Sequence, residues 1–122
     1  MKYLLLVFLG GGLGSSLRYF ISSQLNTENV LSYGTLLVNI AGSFVIGAIL
    51  GHVLKNETLN QGTVLFLAAG FCGGFTTFSA FAFENFQYLR EGAYAQFATY
   101  TIGSLVLGVA AVFVGIMAVR AL

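Results

Sequence analysis

An all-α membrane protein with four transmembrane helices per subunit, the third of them broken, is the fold class this sequence predicts. Three observations carry that reading. Hydrophobic residues make up 57% of the 122 and charged residues only 7%, where a soluble domain carries about a quarter. Mean hydropathy is +0.89, with no Pro and no Trp. The apolar runs reach the roughly 20 residues a helix needs to cross a hydrocarbon core, and short polar clusters separate them. Five Lys/Arg and four Asp/Glu cannot clothe a water-facing surface, which excludes a soluble enzyme.

The separators QLNTENVLS, KNETLNQ and REG divide the chain into approximate spans 3–24, 32–54, 61–89 and 93–121. No linker, charge run or low-complexity tract marks a second domain, so residues 1–122 read as one four-helix channel-sized domain. In the first span, MKYLLLVFLGGGLGSS has the Lys2 and the short apolar run of a signal peptide. No A-x-A-like site follows, however, and the apolar pattern continues past Arg18, so the segment is expected to stay. Gly10 and Gly14 form a G-x-x-x-G pair. A nucleotide-binding loop is rejected there, because no strand precedes it and a GK[ST] end is missing. Arg18 either snorkels or lines a wet vestibule.

In the second span Thr35, Asn39 and Ser43 recur every four residues and so share one helical face. Unpaired polar groups are costly in hydrocarbon and face partners or water. The hydroxyls could satisfy themselves on their own helix, an option that Asn39 lacks. Gly47 and Gly51 make a second G-x-x-x-G pair, Gly70 and Gly74 a third, and His52 reads as an interfacial bystander. Such pairs let helix backbones approach closely in lipid and are expected to support self-association.

The third span holds the stretch GFCGGFTTFSAF, from Gly70 to Phe81. About 29 residues at about 1.5 Å each exceed a hydrocarbon core of roughly 30 Å, so the helix must tilt, protrude or break. The break is expected at Gly73–Thr77, where glycines permit non-helical dihedrals and Thr76 and Thr77 can bond freed backbone groups. Irregular backbone at membrane depth is tolerated only when buried in protein or lining a water-filled cavity, and broken helices there aim dipole ends and bare carbonyls at ions. Beyond the break, Phe78 and Phe81 share a face that Glu84 continues. Cys72 is the only cysteine, so no internal disulfide framework exists. In the fourth span Tyr100 and Ser104 form a second polar stripe, with Gly108 next in line. A membrane enzyme would want a His/Asp/Cys cluster, which this chain lacks.

With four spans, Lys2, Lys55 and Arg120 fall on the side of the termini, against Arg90 and Arg18 on the other. A tally of three against two leaves a weak positive-inside bias. It fits either a weakly oriented protein or a chain inserted both ways up that pairs with itself head to tail.

Together, GGGLGSSLRYF, GTLLVNIAGSFVIG and GFCGGFTTFSAFAFE resemble the Fluc (CrcB) family of fluoride channels, in the family's order and across three of the four spans. That resemblance implies an antiparallel, dual-topology homodimer with two oppositely running pores, exporting fluoride passively across the bacterial inner (plasma) membrane, with each chain inserted in both orientations. By the same resemblance Asn39 is the pore asparagine, and Phe78 and Phe81 present ring edges to fluoride. Thr77 and Ser79 match hydroxyls beside the break, Arg18 the arginine after the glycine cluster, and Glu84 the acidic residue after F-S-x-F. Thr35, Ser43, Tyr100 and Ser104 complete the polar lining. The backbone carbonyls of Gly73 and Thr76 would hold a structural sodium ion on the dimer axis. Ala80 departs from the Ser or Thr that the resemblance implies, and it has no hydroxyl to offer there.

The chemistry suits fluoride. A small, strongly hydrated anion needs replacement donors, which an amide and hydroxyls supply, and aromatic rings carry a positive edge. Fluoride, sodium, membrane lipid and a second copy are the partners implied; no nucleic acid is expected. A small multidrug exporter, also a four-span antiparallel dimer, would want a carboxylate in its first span, which is absent here. A non-transporting assembly subunit is the other alternative.

Overall fold

The structure is a computed structural model that describes residues 1–26, 31–55 and 59–122. Among the described residues, four helical spans are long and apolar enough to cross a membrane. The helix α1 covers Lys2–Leu25 and α2 covers Tyr33–Leu54. The third span, Gln61–Arg90, has two halves. Its first half, α3 (61–75), opens on Asn60, whose side chain accepts a hydrogen bond from Thr63 N at 2.8 Å. One α-turn, Gln61–Val64, then widens into a π-helix over Leu65–Cys72 and tightens again at Gly73–Phe75. The second half is α4, Phe78–Arg90, and α5 covers Tyr94–Arg120. Between α4 and α5 the chain reverses at Gly92, whose φ of 72° only glycine adopts without strain. There Ala93 N donates to Tyr88 O at 2.7 Å, as in a helix C-terminal cap.

The spans pair as α1 with α3 and α2 with α5. Glycine sets both contacts. A Cβ on Gly10 would overlap the Phe66 carbonyl, one on Gly14 the Phe71 carbonyl, and one on Gly74 the Gly11 carbonyl. On the other pair, Gly47 lies against the Val112 carbonyl and Gly115 against that of Phe44. Four of these five belong to the G-x-x-x-G pairs that the sequence reading assigned to self-association. Their close approach is consumed inside one chain, because here the neighbouring span supplies the backbone they meet. Gly14→Val should therefore cost more than the roughly 1–3 kcal/mol of ordinary overpacking, because the obstacle is backbone and cannot swing aside. Gly12, with nothing within 4 Å of an added Cβ, should tolerate the same change. Yield of folded protein after detergent extraction, compared between the two variants, checks this.

The interruption in the third span is narrower than the sequence suggests. Gly73 keeps helical dihedrals (φ −62°, ψ −36°). Only Thr76 (φ −85°, ψ 158°) and Thr77 (φ −150°, ψ 120°) are extended. The glycines are there for closeness to α1 and for open space rather than for bending. The threonines satisfy the loose ends: Thr76 N and Oγ1 both donate to Cys72 O, at 2.9 and 2.8 Å, and Thr77 Oγ1 accepts from Ala80 N at 3.1 Å to cap α4.

A cleft at the helix break

Asn39 splints the broken backbone from α2. Its Oδ1 accepts from Thr77 N at 2.7 Å and its Nδ2 donates to Thr77 O at 3.1 Å. One side chain thus takes both backbone groups of an extended residue 38 positions away, as a neighbouring strand would. Nδ2 keeps a second N–H that is not used on Thr77. In a continuous helix the Thr77 N–H would close on the Gly73 carbonyl; its diversion to Asn39 leaves that carbonyl without its helical partner.

Around this splint lies a cleft of about 290 Å³. Asn39 and Ser43 of α2, Thr76 and Thr77 of the break, Phe78 and Phe81 of α4, and Ser104 of α5 line it, with Ile46, Leu105 and Gly108. The Phe78 and Phe81 rings are tilted 44° at a centroid distance of 5.9 Å. Ser43 Oγ donates to the Asn39 carbonyl at 2.7 Å. The Ser104 hydroxyl is buried and, among the described residues, is the one buried side-chain polar atom without a hydrogen-bond partner. An orphaned hydroxyl on a cleft wall is a place for a water or an ion. The N-terminus of α4 opens beside the cleft, and its unpaired N–H groups and dipole favour negative charge.

The remaining residues singled out in the sequence lie elsewhere. Thr35 (1% exposed), Glu84 (9%) and Tyr100 (1%) form a buried cluster behind the cleft. Thr35 Oγ1 donates to Glu84 Oε1 at 2.5 Å, and Tyr100 O–H donates to Glu84 Oε2 at 3.1 Å. The cluster meets the cleft through Phe81, whose ring lies 5.2 Å from that of Tyr100. Thus Thr35, Asn39 and Ser43 share a helical face but divide between two environments. Ser79 is exposed, its Oγ 3.3 Å from Thr77 Oγ1. Arg18 lies on the far side of the break, where its Nε donates to Gly74 O at 3.0 Å. A cation on the last carbonyls of α3 suits the negative end of the helix.

Sequence reasoning missed several partners. Asn85, 7% exposed, accepts from Thr101 Oγ1 at 3.1 Å. The Tyr88 hydroxyl oxygen accepts from Ser32 N at 2.9 Å. Asn26 Oδ1 accepts from Gly34 N at 2.8 Å and Thr35 N at 3.3 Å, while its Nδ2 donates to Thr35 Oγ1 at 3.0 Å. For Asn85 the signal was available: a polar residue beside Glu84 in a span, one turn before Tyr88.

Four apolar spans, a helix broken at membrane depth and a polar cleft at the break define a multi-pass membrane protein with the anatomy of a channel or transporter. Within that class the chain belongs to the family described as "CrcB-like protein, Camphor Resistance (CrcB)", whose family model matches residues 5–116. It is 50% identical over 122 residues to a protein of Gloeothece citriformis (strain PCC 7424) named "Fluoride-specific ion channel FluC", with 98% of each chain covered. Relatives of the same name are 45% identical in Phocaeicola vulgatus, covering 95% of this chain and 97% of that one, and 38% identical in Pyrococcus abyssi, covering 98% of both.

Proposed function

We propose that this chain is a fluoride-selective channel, a transport protein and not an enzyme, that lets cytoplasmic fluoride leave passively and so limits its toxicity. The observation that carries the reading is the splinted break, which gathers a free amide N–H of Asn39, the Phe78 and Phe81 rings and the unpartnered Ser104 hydroxyl on one cleft. The names of the relatives support it.

The chemistry follows from the wall. A dehydrating fluoride needs donors strong enough to replace water yet weak enough to release it. The Asn39 amide and the Thr77 and Ser104 hydroxyls offer exchangeable donors, with the Ser43 hydroxyl beside them held on the Asn39 carbonyl, and the α4 N-terminus adds a fixed positive field. Phenyl edges contribute weak positive potential without a full charge that would trap the ion. Thr35, Glu84 and Tyr100 hold this wall from behind, Arg18 fixes the far side of the break, and Ser79 lies at its exposed edge.

Phe78 is 78% exposed on the single chain, beside exposed Gly73 and Ser79. That face supports an antiparallel homodimer of chains inserted in both orientations in the inner membrane, whose second copy completes two pores. A structural sodium ion fits the same face: the Gly73 carbonyl has lost its helical N–H to Asn39, and Thr76 is extended. Bare carbonyls suit a hard cation, whose charge would favour an anion path nearby.

The direct test is release of fluoride from sealed liposomes containing this protein alone, read with a fluoride electrode against chloride as comparator. Rapid fluoride release is expected; none would overturn the reading. Phe78→Ile and Phe81→Ile keep the bulk but remove the ring edge. At roughly 1 kcal/mol per aromatic contact, each should slow release about fivefold while the protein still assembles. Wild-type rates in both variants would remove the rings from the pathway.

A further inference from the structure

The cluster behind the cleft has a fourth member outside the spans. Asn26 is the residue on which α1 ends, its own N–H donating to Ser22 O at 2.8 Å. Its side chain does two separate things. Oδ1 accepts the Gly34 and Thr35 N–H groups, satisfying the first turn of α2, which has no cap from Ser32. Nδ2 donates to Thr35 Oγ1 at 3.0 Å. The second bond decides where the Thr35 proton points. A hydroxyl has one proton and two lone pairs; with a lone pair taken by Asn26, the proton is directed at Glu84 Oε1, 2.5 Å away. Tyr100 O–H holds Oε2 from α5, and the Tyr100 ring lies 5.2 Å from Phe81 on the cleft wall. A continuous chain of contacts therefore runs Asn26, Thr35, Glu84, Tyr100, Phe81, linking the end of α1 to α2, α4 and α5.

We infer that Asn26 is a positioning residue for the anion pathway: its amide sets the Thr35 hydroxyl on Glu84, and so holds Tyr100 and the Phe81 ring in their conducting arrangement. The inference rests on the fluoride-channel reading. The cap function and the donor function separate chemically. Asn26→Asp keeps an acceptor for the Gly34 and Thr35 N–H groups but has no N–H for Thr35, so that the Thr35 proton turns to the introduced carboxylate. Asn26→Ser carries no charge, and its hydroxyl stands one bond short of both the cap and Thr35, so it removes both bonds together.

The experiment compares fluoride release from liposomes for wild type, N26D, N26S, T35V and the double variant N26D/T35V, with thermal unfolding in detergent as the stability measure. Both Asn26 variants should lose at least tenfold in rate, N26D with the unfolding midpoint held and N26S with it lowered by the lost cap. N26D should add nothing on the T35V background, because Thr35 is the route through which Asn26 acts. Should N26D not assemble, N26S carries the test without charge. Wild-type rates in N26D and N26S would overturn the inference, leaving Asn26 a cap only. Full additivity with T35V would also overturn it, since Asn26 would then act on the anion directly. No release from the wild type would overturn the channel reading and this inference with it.

Discussion

Lysines added beside Lys55 are expected to silence the protein in cells challenged with fluoride, lysines added beside Gly92 to silence it equally, and the two variants together to restore resistance. The present Lys/Arg tally differs by one between the two sides. Orientation follows Lys/Arg asymmetry near span ends, so one or two added charges dominate it. Each variant then inserts one way up only, and an antiparallel pair cannot form from copies of a single orientation. Supplying both orientations on separate chains replaces the missing half. Single-cysteine labelling near Asn60, with Cys72 replaced, gives the matching result for wild type: about half of the copies marked from each side. Full resistance from either charged variant alone, or labelling from one side only, removes the antiparallel arrangement while leaving the fold of the single chain untouched.

Asn39→Asp is expected to abolish release at neutral pH, and for two separable reasons. The first is electrostatic. A carboxylate about 4 Å from a passing anion costs about 4 kcal/mol at the effective dielectric of a partly wet site, close to a thousandfold in rate. The second comes from the splint. The introduced carboxylate can still accept from Thr77 N, but its other oxygen faces the Thr77 carbonyl where Nδ2 now donates. Two acceptors in contact lose a hydrogen bond and leave a desolvated group, about 1–3 kcal/mol. The unfolding midpoint should accordingly fall while flux disappears. Unchanged flux would take Asn39 out of the pathway; lost flux with an unchanged midpoint would leave the electrostatic reason alone standing.

Much of the architecture was legible because lipid leaves few choices. A chain so poor in charge and so regularly divided can satisfy its backbone only as spanning helices, and a third span too long for the bilayer with GGFTT at its centre pointed to the break. What could not be read was which neighbour each residue meets. Gly73 and Gly74 look like hinge residues in sequence, yet Gly74 is needed because Gly11 of α1 lies against it. Thr35, Asn39 and Ser43 look like one stripe, yet α4 turns Glu84 toward the first while the break sets Thr77 against the second. Asn26 looks like ordinary loop polarity, since its partners lie eight and nine residues ahead in the chain. The π winding of Leu65–Cys72 has no local signature at all, because nothing in LFLAAGFC forbids an ordinary α-helix.

That π winding bears on how the third span tolerates changes in chain length. A π turn bonds five residues on rather than four and packs more chain into less height, so surplus length is stored as girth before the break is reached. Deleting Leu65, ahead of the contacts with Gly10 and Gly14, is the change that α winding can absorb with Thr76 still in place. The second half has no such slack. An inserted residue between Phe81 and Glu84 rotates everything beyond it by about 100°, swinging Glu84 away from Thr35 and Asn85 away from Thr101. The two halves of one span thus answer a length change differently: the first by its winding, the second at the two teeth, Glu84 and Asn85, that its buried face engages.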